Sequence, residues 1–342
     1  MMRLPEFRFV SPRSVQEAAD LLALAAPGEA MVVAGGTDLV PNMKRRQQTP
    51  KTLIDLRRIA ELHAISNGDG LTISAAVTLS DLVRDRRIAH EYCGLWQAAA
   101  QVATPLLRNM GTIGGNLCLD TRCNYYDQNY EWRKAIDFCL KRDGNTCWVA
   151  PSSRKCLAVS STDTAPALIS LGAEVTLASA GSRRTLPLAD LYVNDGIHYL
   201  TRRPDEILTQ VRLPGAAGWR STYWKLRRRG SFDFPVLSVA AALKFARDGS
   251  VEAARIVLGA IASRPVVAAR AAASLIGRRL TDDTIATASE AAAEPARPLD
   301  NTDFPLVWRK RVTRSFVTYA LRELRGDQVS DLRRHHGVLW TG

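Results

Sequence analysis

The chain has 342 residues, is 46% hydrophobic and carries a formal net charge of +12. This length suffices for two or three domains, each with a core of its own. No apolar run reaches the length of a transmembrane helix, and the charged N-terminal segment lacks the apolar centre of a secretory signal. We therefore expect a cytoplasmic protein without membrane contact, in which clustered thiols serve metal or redox chemistry more often than disulfides.

The positive charge is densest in three short runs, at 44–46, 227–229 and 309–311. These runs lie far apart in the chain, and none has the repeated aromatic residues of a protein that binds single-stranded nucleic acid. A basic surface can also attract an acidic partner subunit. We therefore expect no nucleic-acid binding, and we keep a zinc-stabilised module with a nucleic-acid-binding surface as an alternative class.

The first 60 or so residues predict a small lobe of mixed secondary structure. An amphipathic helix is expected over 14–25, entered through Ser11 and Pro12. Strands are expected at 30–34 and 52–56. Glycine and proline punctuate the connections between these elements, as in a compact α+β unit.

The region from 61 to about 215 predicts a mixture of strands and helices, which favours an α+β or mixed α/β domain. A connection at 214–218, rich in Pro, Gly and Ala, marks a domain boundary. The tail from Asp327 has no clear pattern. The expected strands are 71–77, 173–179, 206–213, 237–246 and 254–262, and the expected helices are 79–85, 92–103, 163–171, 264–277 and one within 305–325.

Two glycine motifs follow apolar stretches, MVVAGGTDL at 31–39 and RNMGTIGGNL at 108–117. Glycine lets the backbone bend so that successive N–H groups converge on an anion such as a pyrophosphate. Neither motif has the spacing of the Rossmann fingerprint or the Lys-Ser/Thr of a P-loop. Each glycine pair could be a tight turn and nothing more, but two such loops together suit a dinucleotide.

With S-x-D-x-x-P-A-L at 161–168 and Y-x-K-L-R-R-R at 223–229, these motifs resemble the FAD-binding medium subunits of the xanthine-oxidase-type molybdenum hydroxylases. The resemblance covers about residues 7–325. It implies an α+β fold, with a two-lobed FAD-binding domain of the PCMH/vanillyl-alcohol-oxidase type followed by a CO-dehydrogenase-flavoprotein C-terminal domain. The expected boundaries are 1–216 for the FAD domain, with lobes of about 1–60 and 61–216, then 217–326 for the second domain and 327–342 for the tail.

The resemblance also implies which residues contact FAD. Lys225 would approach the flavin ring, and its charge would favour the anionic reduced flavin. Without the resemblance, Lys225 is a strand lysine in a basic surface run and Asp163 is a helix N-cap. No Ser/His/Asp arrangement is found, so no catalytic residue is expected in this chain. The implied FAD residues are Val32, Val33, Ala34, Gly35, Gly36, Thr37, Asp38, Thr112, Gly114, Gly115, Asn116, Asp163 and Lys225.

An insertion at about 120–159 separates the second glycine motif from the S-x-D segment. It holds four cysteines, Cys123, Cys139, Cys147 and Cys156. Their intervals match neither paired zinc knuckles nor a bacterial ferredoxin run. Four thiolates can still close on an iron–sulfur cubane or a zinc ion, and an insert too short for its own core needs such a centre. Unligated cysteines acting as small buried hydrophobes are the third possibility.

Two other cysteines and six aromatic residues bear on this hypothesis. Cys118 could replace Cys123 as a ligand or pack against FAD, whereas Cys93 is expected to be an ordinary buried helix cysteine. Aromatic side chains could shield a metal centre from water and tune its potential. These are Tyr125, Tyr126, Tyr130, Trp132, Phe138 and Trp148.

A four-cysteine insertion at this point is similar to that of the β subunits of 4-hydroxybenzoyl-CoA reductases, where it carries a [4Fe–4S] cluster. The resemblance implies that the four insertion cysteines are ligands. Electrons from reduced ferredoxin would pass through the cluster and FAD to a small [2Fe–2S] subunit and a large molybdenum subunit, which dehydroxylates 4-hydroxybenzoyl-CoA to benzoyl-CoA. A heterotrimer or a dimer of heterotrimers is expected.

Two other redox functions remain open at the level of the sequence. The first is an FAD subunit of another molybdenum hydroxylase, of the aromatic or CO dehydrogenase type, with a structural metal insertion. The second is a self-sufficient FAD oxidase or reductase of the same fold.

Overall fold

The computed structural model of the protein describes residues 2–335. Its first lobe is a three-stranded parallel sheet in the order β1-β3-β2, covered by one amphipathic helix. The Ser14 hydroxyl accepts a hydrogen bond from the Glu17 amide at 3.1 Å, so Ser14 caps the helix, which begins at Val15, one residue after the expected start. The elements are β1 (Arg8–Val10), α1 (Val15–Ala23), β2 (Ala30–Val33), α2 (Leu39–Lys44) and β3 (Thr52–Asp55).

The second lobe is a five-stranded antiparallel sheet in the order β4-β5-β8-β6-β7, packed against a group of short helices. Its three central strands were expected from their apolar residues. The edge strands β4 and β7 were not predicted, because most of their side chains are exposed and polar. The strands are β4 (Ile65–Gly68), β5 (Gly70–Ser74), β6 (Glu174–Ser179), β7 (Ser182–Pro187) and β8 (Ile207–Leu213). The helices are α3 (Leu79–Arg84), α4 (Arg86–Glu91), α5 (Cys93–Ala100), α6 (Pro105–Arg108), α7 (Ile113–Leu117) and α9 (Thr164–Ser170), and the insertion adds α8 (Tyr130–Ala135).

The C-terminal unit is a four-stranded antiparallel sheet in the order β12-β11-β10-β9, with helices packed on it through a separate apolar core. Helical periodicity over 264–277 proved misleading in part, because the segment contains a two-residue strand before a short helix. Nowhere in residues 2–335 is a helix both long and apolar enough to cross a membrane. The elements are β9 (Trp219–Leu226), β10 (Leu237–Phe245), β11 (Val251–Gly259), β12 (Val266–Val267), α10 (Ala269–Ala273), α11 (Asp282–Ala293), α12 (Leu306–Arg325) and α13 (Ser330–His335).

Part of the C-terminal tail is ordered, contrary to the expectation from the sequence. Arg333 on α13 is buried, pairs with Glu323 on α12, and donates to the Tyr223 carbonyl at 2.8 Å. Its guanidinium also lies 3.9 Å from the centroid of the Trp224 ring. These contacts compensate for the burial of the charge and bind the tail to β9. The remainder of the expected tail, from residue 336, lies outside the described residues.

The insertion leaves the second lobe through one pair of residues and packs against the first lobe. Arg122 and Val159 exchange two backbone hydrogen bonds of 2.8 and 2.7 Å, which close its neck. Arg133 on α8 is fully buried and donates to the Arg45 and Arg46 carbonyls, at 3.0 and 3.1 Å, just after α2. The insertion therefore satisfies backbone acceptors that the end of α2 would otherwise leave free.

Candidate functional site

The two glycine loops line one cavity of about 390 Å³, which we call the flavin cavity. It lies where the first lobe, the second lobe and the loop before β10 meet. Of the thirteen residues expected at FAD, the structure brings twelve to this cavity. They are Val32–Asp38, Thr112, Gly114–Asn116 and Asp163, whereas Lys225 is not among the lining residues.

Glycine is required at two close backbone contacts of the loops. A Cβ built on Gly35 would lie 1.8 Å from the Met110 carbonyl oxygen, and one on Gly114 would lie 2.8 Å from the Ala75 carbonyl oxygen. Gly36 has a φ of +68°, in the left-handed region that favours glycine. Gly115 differs, because its Cβ would meet only the Thr112 hydroxyl, at 3.1 Å, and the residue is exposed at the cavity. The backbone at Gly115 is therefore open to close approach by a ligand.

Asn116 joins the second glycine loop to the S-x-D segment. Its side-chain oxygen accepts hydrogen bonds from the Thr162 hydroxyl at 2.8 Å and from the Thr164 amide and hydroxyl at 3.1 and 2.6 Å. The asparagine is buried, and these bonds fix the orientation of its amide. Asn116 is thus a structural link as well as a cavity residue.

Lys225 reaches the cavity only through Asp163. Its ammonium group donates to Asp163 Oδ2 and to the Gln101 carbonyl, both at 3.0 Å, while the Tyr223 hydroxyl donates to Asp163 Oδ1 at 2.6 Å. Burial raises the pKa of Asp163 and lowers that of Lys225, and the ion pair opposes both shifts. Lys225 itself does not line the cavity, and its expected contact with the cofactor stays a prediction. Asp163 holds the N-cap position of α9, but its side chain makes no capping bond.

Arg122 is a cavity residue that was not expected from any sequence motif. It is buried, pairs with Asp38 of the first glycine loop, and donates to Asn42 and Asp127 at 3.1 and 3.2 Å. It also lies over the Phe234 ring at 4.8 Å. The only signal was its position directly before Cys123. Other unexpected lining residues are Arg45, Asp120, Tyr199, Arg202 and Phe232.

The four insertion cysteines line one small pocket, which we call the thiol pocket. All four side chains are buried and none forms a disulfide. Burial raises the pKa of Cys123 to about 12 and that of Cys156 to about 11, because no bulk water stabilises the thiolates. The spacing of the cysteines could not predict that chain segments up to 33 residues apart would converge.

The other cysteines and the aromatic residues divide between the two sites. Cys118 lines the flavin cavity and not the thiol pocket, so the structure does not make it a rival to Cys123. Cys93 is half-buried at the start of α5, and burial raises its pKa to about 11. Of the six aromatic residues, Tyr125, Tyr126 and Trp148 line the thiol pocket. The other three, Tyr130, Trp132 and Phe138, do not line it.

The thiol pocket does not have the geometry of a site for a single ion. Within residues 2–335, no group of three or more His, Cys, Asp or Glu side chains is positioned to hold one metal ion. Cysteines that ligate separate irons of a cluster lie farther apart, because iron and sulfide stand between them. The free space is about 10 Å³, so the thiols would have to turn outward to admit a cluster.

One residue of the basic run at 309–311 is structural, whereas Lys310 and Arg311 are exposed. Arg309 is fully buried and donates to the Val236, Leu299 and Ala260 carbonyls at 2.9, 2.8 and 2.6 Å. Burial lowers its pKa to about 10. The run at 309–311 therefore contributes less positive surface than its sequence indicates.

Comparison with known families identifies both halves of the chain. Residues 5–216 match the FAD binding domain in molybdopterin dehydrogenase, and residues 221–324 match the CO dehydrogenase flavoprotein C-terminal domain. The chain is an FAD-binding medium subunit of the xanthine oxidase family. This confirms the expected family and its fold, a PCMH-type FAD domain followed by a CO-dehydrogenase-flavoprotein domain. The zinc-stabilised nucleic-acid module is not the fold of this chain.

Individual relatives agree with this family. The FAD-binding subunit PaoB of an aldehyde oxidoreductase from Escherichia coli is 34% identical over 313 residues, which are 88% of this chain and 94% of that protein. The carbon monoxide dehydrogenase medium chain of Hydrogenophaga pseudoflava is 28% identical over 303 residues, 86% of this chain and 90% of that protein. A solved structure of carbon monoxide dehydrogenase from Hydrogenophaga pseudoflava, lacking the Mo-pyranopterin moiety of its cofactor, superposes with a TM-score of 0.76 at 26% identity, covering 94% of this chain and 98% of that chain.

Proposed function

We propose that this subunit binds FAD in the flavin cavity and a [4Fe–4S] cluster in the thiol pocket, and that it relays electrons within a molybdenum enzyme complex. The observation that carries the proposal is the convergence of four buried thiols from one insertion beside a cavity lined by two glycine loops. The partners would be a large subunit with the molybdenum cofactor and a small subunit with [2Fe–2S] centres, in a heterotrimer or its dimer.

The lining of the flavin cavity suits FAD. Gly115 leaves the backbone open to the cofactor, and the touching loops at Gly35 and Met110 bring backbone amides from two segments to one place. Asp163 offers a carboxylate held in position by Lys225 and Tyr223. Bound FAD would supply electron-transfer chemistry that no side chain here provides.

The donor set of the thiol pocket suits an iron–sulfur cluster. Four cysteines are the ligands of a [4Fe–4S] cluster. Because burial keeps Cys123 and Cys156 protonated in the free protein, cluster binding would release protons. The aromatic side chains of Tyr125, Tyr126 and Trp148 would separate the cluster from water.

The relatives favour oxidation of an organic substrate at molybdenum, with electrons leaving through this subunit. The relative at 34% identity belongs to an aldehyde oxidoreductase, so we propose an aldehyde as the substrate class. This direction agrees with the alternative of another molybdenum hydroxylase, although that alternative was of the aromatic or CO dehydrogenase type and gave the insertion a structural metal. Reduction of 4-hydroxybenzoyl-CoA by ferredoxin is the second candidate, supported by the thiol pocket, because an added low-potential cluster can serve as an entry port for electrons.

Replacement of one proposed ligand tests the cluster. We expect Cys139→Ser to lower the iron of the complex by about four atoms per copy of this chain, the content of one [4Fe–4S] cluster, while the iron of the [2Fe–2S] subunit and most FAD stay bound. Iron, acid-labile sulfide and flavin would be measured on anaerobically purified complex. Cys93→Ser is the matched control, since Cys93 lies outside the thiol pocket and should keep full iron. Unchanged iron in Cys139→Ser would remove this residue from the ligand set.

Turnover assays of the whole complex distinguish the two candidate directions of electron flow. We expect aromatic or aliphatic aldehydes to reduce the bound flavin, seen as bleaching of its visible absorption. Dithionite-reduced ferredoxin with 4-hydroxybenzoyl-CoA should yield no benzoyl-CoA. Product formation in the second assay, without bleaching in the first, would reverse the assignment.

A further inference from the structure

We propose that Lys141, held by Asp120 and Tyr126, is a positioning residue whose charge raises the electron affinity of the carriers in the thiol pocket and the flavin cavity. We call these three residues the bridge. The inference deepens the proposed function and rests on it, because it assumes an electron carrier in each of the two sites.

The bridge physically connects the two sites. Lys141 and Tyr126 line the thiol pocket, whereas Asp120 lines the flavin cavity. The Lys141 ammonium lies 2.7 Å from Asp120 Oδ1, and the Tyr126 hydroxyl donates to Asp120 Oδ2 at 2.9 Å. One carboxylate on the cavity wall thus holds two side chains of the pocket wall.

Lys141 is fixed by more than its ion pair. Its ammonium group also donates to the Thr121 hydroxyl and the Gly196 carbonyl, both at 2.6 Å. It lies over the Tyr126 ring at 4.7 Å and the Tyr199 ring at 5.3 Å, and Tyr199 lines the flavin cavity. Lys141 therefore contacts both a pocket aromatic and a cavity aromatic, in addition to the carboxylate between them.

Burial makes this charge effective. The side chains of Lys141 and Asp120 are each only 6% exposed, so water and salt screen them poorly. Burial and the adjacent Asp120 raise the pKa of Tyr126, which keeps its hydroxyl protonated as a donor. A carrier that accepts an electron gains negative charge, and a fixed ammonium nearby stabilises that state. Lys141 therefore raises the electron affinity of the carriers in both the thiol pocket and the flavin cavity, and the negative charge of Asp120 lowers it.

Charge removal at Lys141 tests the inference. In the intact complex, Lys141→Met should shift the reduced-to-oxidised ratio of the iron centre about tenfold toward oxidised at a fixed potential, which is about 59 mV for one electron. The readout is a spectroscopic redox titration of iron and flavin, independent of turnover. Lys155→Met is the matched control, because Lys155 is exposed although it precedes Cys156 in the chain. Unmoved potentials in Lys141→Met would overturn the proposal.

A second variant keeps the test decisive if Lys141→Met folds poorly. Asp120→Asn removes the opposing charge and should shift both potentials in the opposite direction, toward the reduced state. A shift of the same sign as in Lys141→Met, or none, contradicts the proposal. If the wild-type complex contains no iron beyond that of its [2Fe–2S] subunit, the cluster assignment and this inference fail together. Normal iron content with unchanged potentials would contradict only this inference and would be compatible with the proposed function.

Discussion

The flavin cavity and the thiol pocket are built in different ways. Two contiguous motifs form the cavity, and their backbones approach so closely that Gly35 admits no side chain beside Met110. The pocket instead gathers four side chains that are spread from Cys123 to Cys156. A site made by backbone contact leaves a compact motif in the sequence, whereas a site made by side-chain convergence leaves only a count of suitable residues.

The two sites also differ in what holds them in place. The glycine loops belong to the lobes themselves: the first leads directly into α2, and the second contains α7. The insertion is held from outside by arginines, with Arg122 paired to Asp38 and Arg133 bonded to carbonyls after α2. Buried arginines with several acceptors can fix a segment that is too short for a core of its own.

The largest expected effect is the loss of FAD from the flavin cavity with the thiol pocket left intact. Gly115→Val places a branched side chain where only the Thr112 hydroxyl is near, so the chain should still fold, but the side chain would block the cofactor. We expect loss of most bound FAD with iron retained. The control is Gly215→Val, since nothing lies within 4 Å of the Cβ position at Gly215. Full flavin content in Gly115→Val would show that the cofactor does not approach this loop.

The reciprocal change should break the pocket and spare the cavity. A Cβ on Gly196 would lie 2.6 Å from the Cys156 sulfur and 2.8 Å from the Ala158 amide nitrogen, both buried. Gly196→Ala should therefore displace Cys156 and reduce the iron bound in the thiol pocket by at least half, with FAD nearly unchanged. Gly215→Ala serves as its control. Equal losses of iron and flavin would mean that the two sites form one cooperative unit rather than two.

The sequence predicted those parts of the fold whose pattern is local. The buried strands β5, β6 and β8 and both glycine loops follow from short stretches of apolar residues and glycine. The polar edge strands β4 and β7 could not be predicted from such stretches, because their pairing depends on the neighbouring strand rather than on their own residues. Helix α11, capped by Thr281, was also missed.

Charged residues were the least predictable part of the site. Arg122, Arg133 and Arg333 appear in the sequence as ordinary surface charges, and only tertiary contacts show that each is buried with several partners. Lys225 was selected by resemblance, yet its pairing with Asp163 could not be inferred from spacing. Such pairs form between segments far apart in the chain, for which a single sequence offers no periodic signal.

The smallest expected effect is that of Glu206→Gln, which tests whether side-chain charge also stabilises the flavin cavity. Glu206 lines the cavity and accepts two hydrogen bonds from Arg184 at 2.7 and 2.9 Å and one from the Arg203 amide at 2.7 Å. Burial acts to raise its pKa, but the hydrogen bonds from Arg184 and Arg203 outweigh it and leave the pKa below the ordinary 4.5. Glu206→Gln should lower the free energy of unfolding at pH 7 by about 1 kcal/mol, because Arg184 is partly exposed and screened.

The pH dependence of this difference follows from the lowered pKa of Glu206. The unfolded chain binds a proton at this site more readily than the folded one, so the stabilisation is complete above pH 4.5 and disappears as the pH falls through the folded value. Urea unfolding of the wild type and Glu206→Gln should therefore differ at pH 7 and converge in acid. Glu252→Gln, in an exposed pair with Lys244, should follow the wild type throughout. A constant gap between wild type and Glu206→Gln at every pH would mean that the glutamate supports the cavity by shape and not by charge, as the glycine loops do.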